Sequence, residues 1–311
     1  MPACNVTVSL LREVRLDVYI AETLCLMRRS QIKRRALCAI VNGKKAKYST
    51  ILKNGDRLDL VWNDIPELLL TPEHIPLDIV FENERVVVVN KAQGMIVHPG
   101  AGAHNGTLVN ALLGYLQEKN KNKFDNLLLG SLNPHDLRPF IVHRLDKDTS
   151  GLIICAWDNE CLSFLSDQFK ERSVKKTYVA IVKGVPEKKS GVIATNIIRD
   201  PKERKQFTIS TESGKSAVTY YKLLRAYKNF SLLLLRPKTG RTHQLRVHLR
   251  YLGNPILGDT IYNKTCKEFP AATLMLHARK LSITLPGNTE MSHFKTELPL
   301  RFKNMLRHAC K

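Results

Sequence analysis

The chain has 311 residues, 43% of them hydrophobic, which is enough for about two packed domains. Its 49 Lys and Arg against 28 Asp and Glu leave a formal charge of +21. That surplus points to a polyanionic partner, nucleic acid before an anionic membrane surface, because neither a basic amphipathic helix nor a lipid signal is present. No leader-like apolar run opens the sequence, no uncharged stretch reaches the ~18 residues of a membrane span, and the seven cysteines form no Cys-x-x-Cys pair, so the expectation is a cytoplasmic protein without zinc site or disulfide framework.

From Arg15 to Glu22 the positions Leu16, Tyr19, Ile20 and Leu24 recur at helical spacing. Ser30 can cap a second helix whose buried side is Ile32, Ala36, Leu37 and Ile40, leaving Lys33, Arg34 and Arg35 largely on its surface. Asn42-Gly43 reads as a tight turn between short strands, and Asn54-Gly55 as another before the alternating Leu58, Leu60 and Trp62. Residues 1–62 hold 12 basic and 5 acidic residues and read as a compact basic domain. Pro66, Pro72 and Pro76 break regular structure and place a linker at 63–76.

The remainder, 77–311, reads as one larger domain. It opens on a hairpin, Leu77–Phe81 and Arg85–Asn90 across a polar turn. Gly100-Ala101-Gly102 begins a dinucleotide pattern, yet its third glycine position is Asn105. Thr107 to Leu113 reads as a capped helix and Gln117 to Asp125 as a lysine-rich loop. Next comes the stretch Ile141-Val142-His143-Arg144-Leu145-Asp146-Lys147-Asp148-Thr149-Ser150-Gly151-Leu152, a charged turn between apolar runs. There a carboxylate can face a ligand and be balanced by a guanidinium, and Asp146 is the candidate nucleophile.

Glu160 to Phe169 has helical periodicity, and Lys176 to Gly184 reads as a strand carrying Tyr178. Gly214-Lys215-Ser216 lacks the upstream glycine of a phosphate-binding loop, whose place Ile209 occupies, so no nucleotide cofactor is expected. Strands at Ser216–Leu224 and Phe230–Arg236 lead to Lys238-Thr239-Gly240-Arg241-Thr242-His243-Gln244-Leu245-Arg246-Val247-His248, where a turn projects Arg241 beside a helical segment. His243 and His248 lack both the spacing and the third ligand of a zinc site, so no metal is expected.

His-Arg-Leu-Asp-Lys-Asp-Thr-Ser-Gly-Leu closely resembles the central motif of the RNA pseudouridine synthases of the large-subunit ribosomal RNA type, and within them the synthase D group. The resemblance continues in Lys91-Ala92-Gln93-Gly94 through His98-Pro99, in Lys176-Thr177-Tyr178-Val179-Ala180, in Gly240-Arg241-Thr242-His243-Gln244-Leu245-Arg246 and in Gly253-Asn254-Pro255 through Gly258-Asp259 and Tyr262, a stretch read as scaffold rather than chemistry. Three departures stand out: Ala92 for a proline, Phe140 for a glycine, and Ile283 with Leu285-Pro286 for an aromatic and His-Pro. Residues 1–62 resemble the small RNA-binding domain named after ribosomal small-subunit protein four. That resemblance implies backbone contacts from Arg28, Arg29, Ser30, Lys33 and Lys44.

The implied activity converts uridine to pseudouridine by breaking the bond between base and sugar, turning the base and rejoining it through carbon 5, without redox or other cofactor. Carried over by position, Asp146 is the catalytic aspartate, Arg241 its partner, Tyr178 the residue against the target base and Arg144 the residue filling the space the base vacates. The implied fold is α/β in the α+β sense, a mixed, mainly antiparallel sheet with a central cleft, preceded by a small α/β RNA-binding domain. Large-subunit rRNA is the implied substrate, bound by a monomer with no membrane partner. A tRNA synthase and a non-catalytic RNA-binding or ribosome-assembly protein are the alternatives.

Overall fold

A computed structural model describes residues 2–27, 29, 32, 35–63, 70–100, 104–119, 140–263 and 269–308. The chain divides into two compact units, Met1–Leu68 and Leu69–Lys311.

In the first unit, β1 (Ala3–Thr7), β3 (Cys38–Val41), β4 (Lys44–Lys45) and β6 (Arg57–Val61) form an antiparallel sheet ordered β1-β6-β3-β4. Two short strands, β2 (Val14–Arg15) and β5 (Ile51–Leu52), pair separately. A single helical turn, α1 (Leu16–Val18), continues as a wider turn over Tyr19–Thr23. Leu16, Ile20, Ile32, Leu52, Leu58 and Leu60 are fully buried between these pieces. Asn42 and Gly43 turn β3 into β4 with φ of +51° and +80°, the left-handed pair such a tight hairpin demands. The second helix expected from Ser30 to Ile40 ends early: Ala36 has φ +46° and Ile40 lies in β3, because the chain must reverse to pair with β6. Ser30, Gln31, Lys33 and Arg34 of that segment, and Arg28 before it, fall outside the described residues.

The second unit is built on one sheet with ten strands among the described residues. Its strands are β7 (Ile79–Glu82), β8 (Val86–Lys91), β9 (Ser150–Ala156), β10 (Lys175–Lys183), β11 (Ser190–Arg199), β12 (Phe207–Ser210), β13 (Lys215–Ala226), β14 (Phe230–Pro237), β15 (Leu276–Thr284) and β16 (Met291–Lys295). They run in the order β12-β11-β13-β14-β10-β15-β9-β8-β7, with β16 beside β15. Helices α2 (Leu108–Lys119) and α3 (Asn159–Glu171) cover the two faces at β8. Val87 and Val89 pack with Leu112 and Leu113 of α2, while Val86 and Val88 pack with Cys161 and Leu165 of α3. Burial on both faces explains the unbroken valine run. Asp158 caps α3 by accepting the Cys161 N–H at 2.7 Å. Residues 70–76, expected as linker, are docked on α2 instead. Thr71 and Glu73 bond Asn110, and Gly114 admits the Glu73 backbone where a Cβ would lie 2.2 Å from its carbonyl oxygen.

Each strand pair in this sheet is antiparallel except β9 with β15. At that seam Gly151 faces Ala278, and a Cβ would come within 2.3 Å of the Ala278 oxygen, so the approach requires glycine. The charged turn sits immediately before β9 and therefore opens beside this seam.

Candidate active site

Residues 143–149 are held from below by the chain after β8. Lys91, 1% exposed, donates its ammonium to the carbonyls of Ala92, Met95 and Lys147 at 2.8–3.0 Å, while Gly94 N–H also donates to Lys147 and Gln93 donates to the Asp148 carbonyl at 3.0 Å. Burial pushes the Lys91 ammonium down to about 8, opposed by the nearby Asp148 and Asp146. Three donors meeting three carbonyls pin the backbone next to Asp146 even though Ala92 stands where a proline is usual. On the other side of the turn, His143 accepts the Ile154 N–H at 3.1 Å and stacks on Phe169 at 4.5 Å. Burial, with Lys176 adding to it, lowers its pKa to about 3, so it is a neutral strut.

The turn opens into a cleft of about 510 Å³ between α3, β10, the segment after β14 and α4 (Gln244–Tyr251). Among the described residues, seven of those lining it are Lys or Arg, and Asp146 is the single acid. Asp146 is 21% exposed, and its Oδ2 accepts from Arg246 Nη1 at 3.3 Å. Arg246 is itself buried, and its Nε and Nη2 form a fork onto both oxygens of Asp259, each at 2.8 Å. Asp259 is completely enclosed and also accepts the backbone N–H of Ile261 and Tyr262 at 3.0 Å. Burial opposes its charge, but Arg246 and these amides outweigh it and hold the carboxyl below the usual range. His243 completes the wall, with Nε2 4.0 Å from Asp146 Oδ2.

The sequence reading named Arg241 as the partner of Asp146, and the structure corrects this to Arg246. Arg241 lies in the turn before α4 and donates Nε to the Ser216 carbonyl at 3.1 Å, so it faces the rim of the cleft. Arg246 is one turn into the helix and points under the floor. Tyr178 lines the cleft beside Asp146, where burial and then the Asp146 charge push its phenol up. Arg144 is exposed on the rim and makes no ion pair among the described residues. In the first unit Lys44 is exposed, whereas Arg29 donates to Asp17 at 2.8 Å, and Arg28, Ser30 and Lys33 lie outside the described residues. Gln244 and His248, part of the same motif as Arg241, serve the scaffold: Gln244 binds Thr239, Val218 and Thr219, and His248 lies between Thr195 and Thr219.

A sequence profile described as RNA pseudouridylate synthase matches residues 85–251, which contain this cleft's turn and helix. The chain belongs to the RNA pseudouridylate synthase family. This synthase is an isomerase. It is 42% identical over 93% of its length to a protein named ribosomal large subunit pseudouridine synthase D from Borreliella burgdorferi, of which the match covers 87%. It is 38% identical over 94% of its length to an uncharacterized RNA pseudouridine synthase from Aquifex aeolicus, of which the match covers 93%. Among solved structures, human RNA pseudouridylate synthase domain containing 4 superposes with a TM-score of 0.58 at 28% identity, over 75% of this synthase and 92% of that chain. No helix among the described residues is long and apolar enough to cross a membrane.

The part of the synthase that sequence reasoning missed is the Arg246–Asp259 fork. A signal existed: Arg246 stands between Leu245 and Val247 in a helix whose interior positions are buried, and a buried guanidinium requires a carboxylate. Asp259 had been read as scaffold, yet it holds the arginine that faces Asp146.

Proposed function

We propose that the protein isomerises specific uridines in large-subunit ribosomal RNA to pseudouridine, with Asp146 as the catalytic carboxylate. The observation that carries this reading is one acid, Asp146, among seven cationic side chains in the cleft lining of the described residues. Such a lining attracts the phosphate backbone, and the cleft volume suits one extruded nucleotide. Asp146 Oδ2 is engaged by Arg246, so Oδ1 is the oxygen presented to the nucleoside, either to attack it or to remove a sugar proton. Tyr178 stacks on the extruded base and Arg144, exposed on the rim, enters the space the base leaves. Arg241 and Lys238 meet the backbone at the opposite rim.

The relatives named for the large ribosomal subunit favour rRNA over tRNA. The basic first unit, through Arg28, Arg29, Ser30, Lys33 and Lys44, adds phosphate contacts that position the protein without reading sequence. The test is carbodiimide mapping of pseudouridine on large-subunit rRNA transcripts treated with purified wild-type protein and Asp146→Asn. Wild type should create specific reverse-transcription stops and the variant none, with RNA affinity retained. Stops on tRNA alone would move the substrate, and equal turnover by Asp146→Asn would remove Asp146 from the chemistry.

A further inference from the structure

Asp146 Oδ2 has a second neighbour besides Arg246. His243 directs Nε2 at the same oxygen from 4.0 Å, while its Nδ1 lies 2.8 Å from the Tyr262 hydroxyl. The hydroxyl in turn accepts the Phe207 backbone N–H at 2.8 Å. A phenol that already accepts from an amide has its own proton to place, and Nδ1 is the acceptor the structure offers it among the described residues. With Nδ1 accepting, the ring proton of a neutral His243 resides on Nε2 and faces the carboxylate. The opposite tautomer would leave the buried phenol proton unsatisfied and turn a lone pair toward Asp146, two penalties at once.

We propose that Tyr262 and His243 are positioning residues for Asp146. Tyr262 sets the imidazole tautomer, His243 Nε2–H and Arg246 together hold Oδ2, and Oδ1 is thereby the oxygen free to react. This rests on the reading of Asp146 as the catalytic carboxylate.

Two independent observations support a built arrangement. His243 has φ +56° and ψ +15°, a left-handed conformation that residues other than glycine seldom adopt, at the position preceding α4. Tyr262 is also tied to the other group at Oδ2, since its ring lies 5.1 Å from the Arg246 guanidinium and its N–H donates to Asp259. One tyrosine thus braces both groups that hold the same oxygen. The Phe207 ring closes the remaining side of the imidazole edge-on at 5.6 Å. Burial disfavours the imidazolium, Asp146 and Asp259 favour it, and Arg246 and Arg144 oppose it, with the net direction toward the neutral ring. The 4.0 Å gap closes by a small side-chain movement when a nucleotide displaces solvent from the cleft.

The experiment combines nitrogen-15 NMR of the full-length protein with steady-state kinetics on one large-subunit rRNA transcript. Comparison with His243→Gln assigns the His243 signals. Wild type should show Nε2 protonated and Nδ1 bare. Tyr262→Phe should lower kcat at least tenfold with KM within twofold. His243→Ala should lose more, and His243→Gln, which can return an N–H near Nε2, should recover at least tenfold over it. A wild-type ring protonated on Nδ1, or Tyr262→Phe with kcat within twofold of wild type, overturns the proposal while leaving Asp146 in place. Full turnover by Asp146→Asn overturns the reading beneath it.

Discussion

Both units carry a three-member cluster of arginine and aspartate, and the clusters are inverted in composition and in burial. In the first unit Asp17 accepts from two guanidiniums, Arg15 at 3.0 Å and Arg29 at 2.8 Å, whose side chains are 47% and 52% exposed. In the second unit one guanidinium, Arg246, serves two carboxylates and all three groups are largely enclosed. A surplus of exposed cations around one acid satisfies that acid completely and makes a surface clamp. A buried shortage leaves one acid less satisfied: among the described residues Asp259 takes two bonds of 2.8 Å and two backbone amides, and the Asp146 carboxylate takes a single bond of 3.3 Å. The difference shows that burial and stoichiometry, more than residue type, separate a fully paired carboxylate from one with bonding capacity to spare, as the role proposed for Asp146 requires.

The comparison breaks hardest at Arg246. Arg246→Met would strand the enclosed Asp259 charge and is expected to destabilise the second unit by about 3–5 kcal/mol in urea denaturation. It should also lower kcat by a factor on the order of 10²–10³, because the carboxylate loses its fixed counter-charge. Full stability in the variant would mean that Asp259 is protonated or otherwise paired.

Acid separates the clusters next. Burial lowers His143 to about 3 and His248 and His277 to about 4, so these rings stay neutral in the folded second unit while the unfolded chain takes up protons below about 6.5. Stability there is therefore complete above that value and is lost as pH falls from 6.5 toward 4. The Arg15 hydrogen bond, aided by Arg29 and opposed by burial, holds Asp17 at about 2, so its contribution is present above about 3.8 and fades only as pH falls toward 2. Unfolding midpoints recorded between pH 7.5 and 4.5 should drop for the second unit. A flat profile would show that the histidines titrate normally.

Smaller effects belong to the first unit. Lys44→Glu should weaken RNA binding, reduce the slope of log affinity against log salt by about 1, and leave kcat unchanged. An unaltered slope would take Lys44 off the RNA. Arg29→Ala should alter stability by less than about 1 kcal/mol, since Arg15 still holds Asp17 and both guanidiniums are about half exposed to solvent. A larger loss would mean that the surface clamp is a core element.

Local chemistry was readable along the chain wherever one segment contained it. The Asn42-Gly43 hairpin, the valine strand β8, the helix over Glu160 to Phe169 and the turn carrying Asp146 each depend on neighbours within a few positions. Phe140 was noted as standing where a glycine is usual, and its φ of +69° supplies the reason: the backbone there is left-handed, and packing against Trp157 at 5.4 Å offsets the strain. Residues 70–76 misled because prolines announce irregular backbone but say nothing about what that backbone packs on. The choice of Arg246 over Arg241 could not be made from spacing, since both lie in one short motif and both reach the cleft.

By itself, then, the sequence determined the basic character, part of the strands and turns, and the charged turn that holds Asp146, because side-chain periodicity and turn chemistry act over a few residues. Only the tertiary structure decided which arginine faces Asp146 and which carboxylate holds that arginine. Those are properties of groups 100 and 13 positions apart in the chain, brought within 3.3 Å by helix α4 and the turn at Asp259. Charge in a buried site depends on distance and enclosure, and neither is written in the order of the residues.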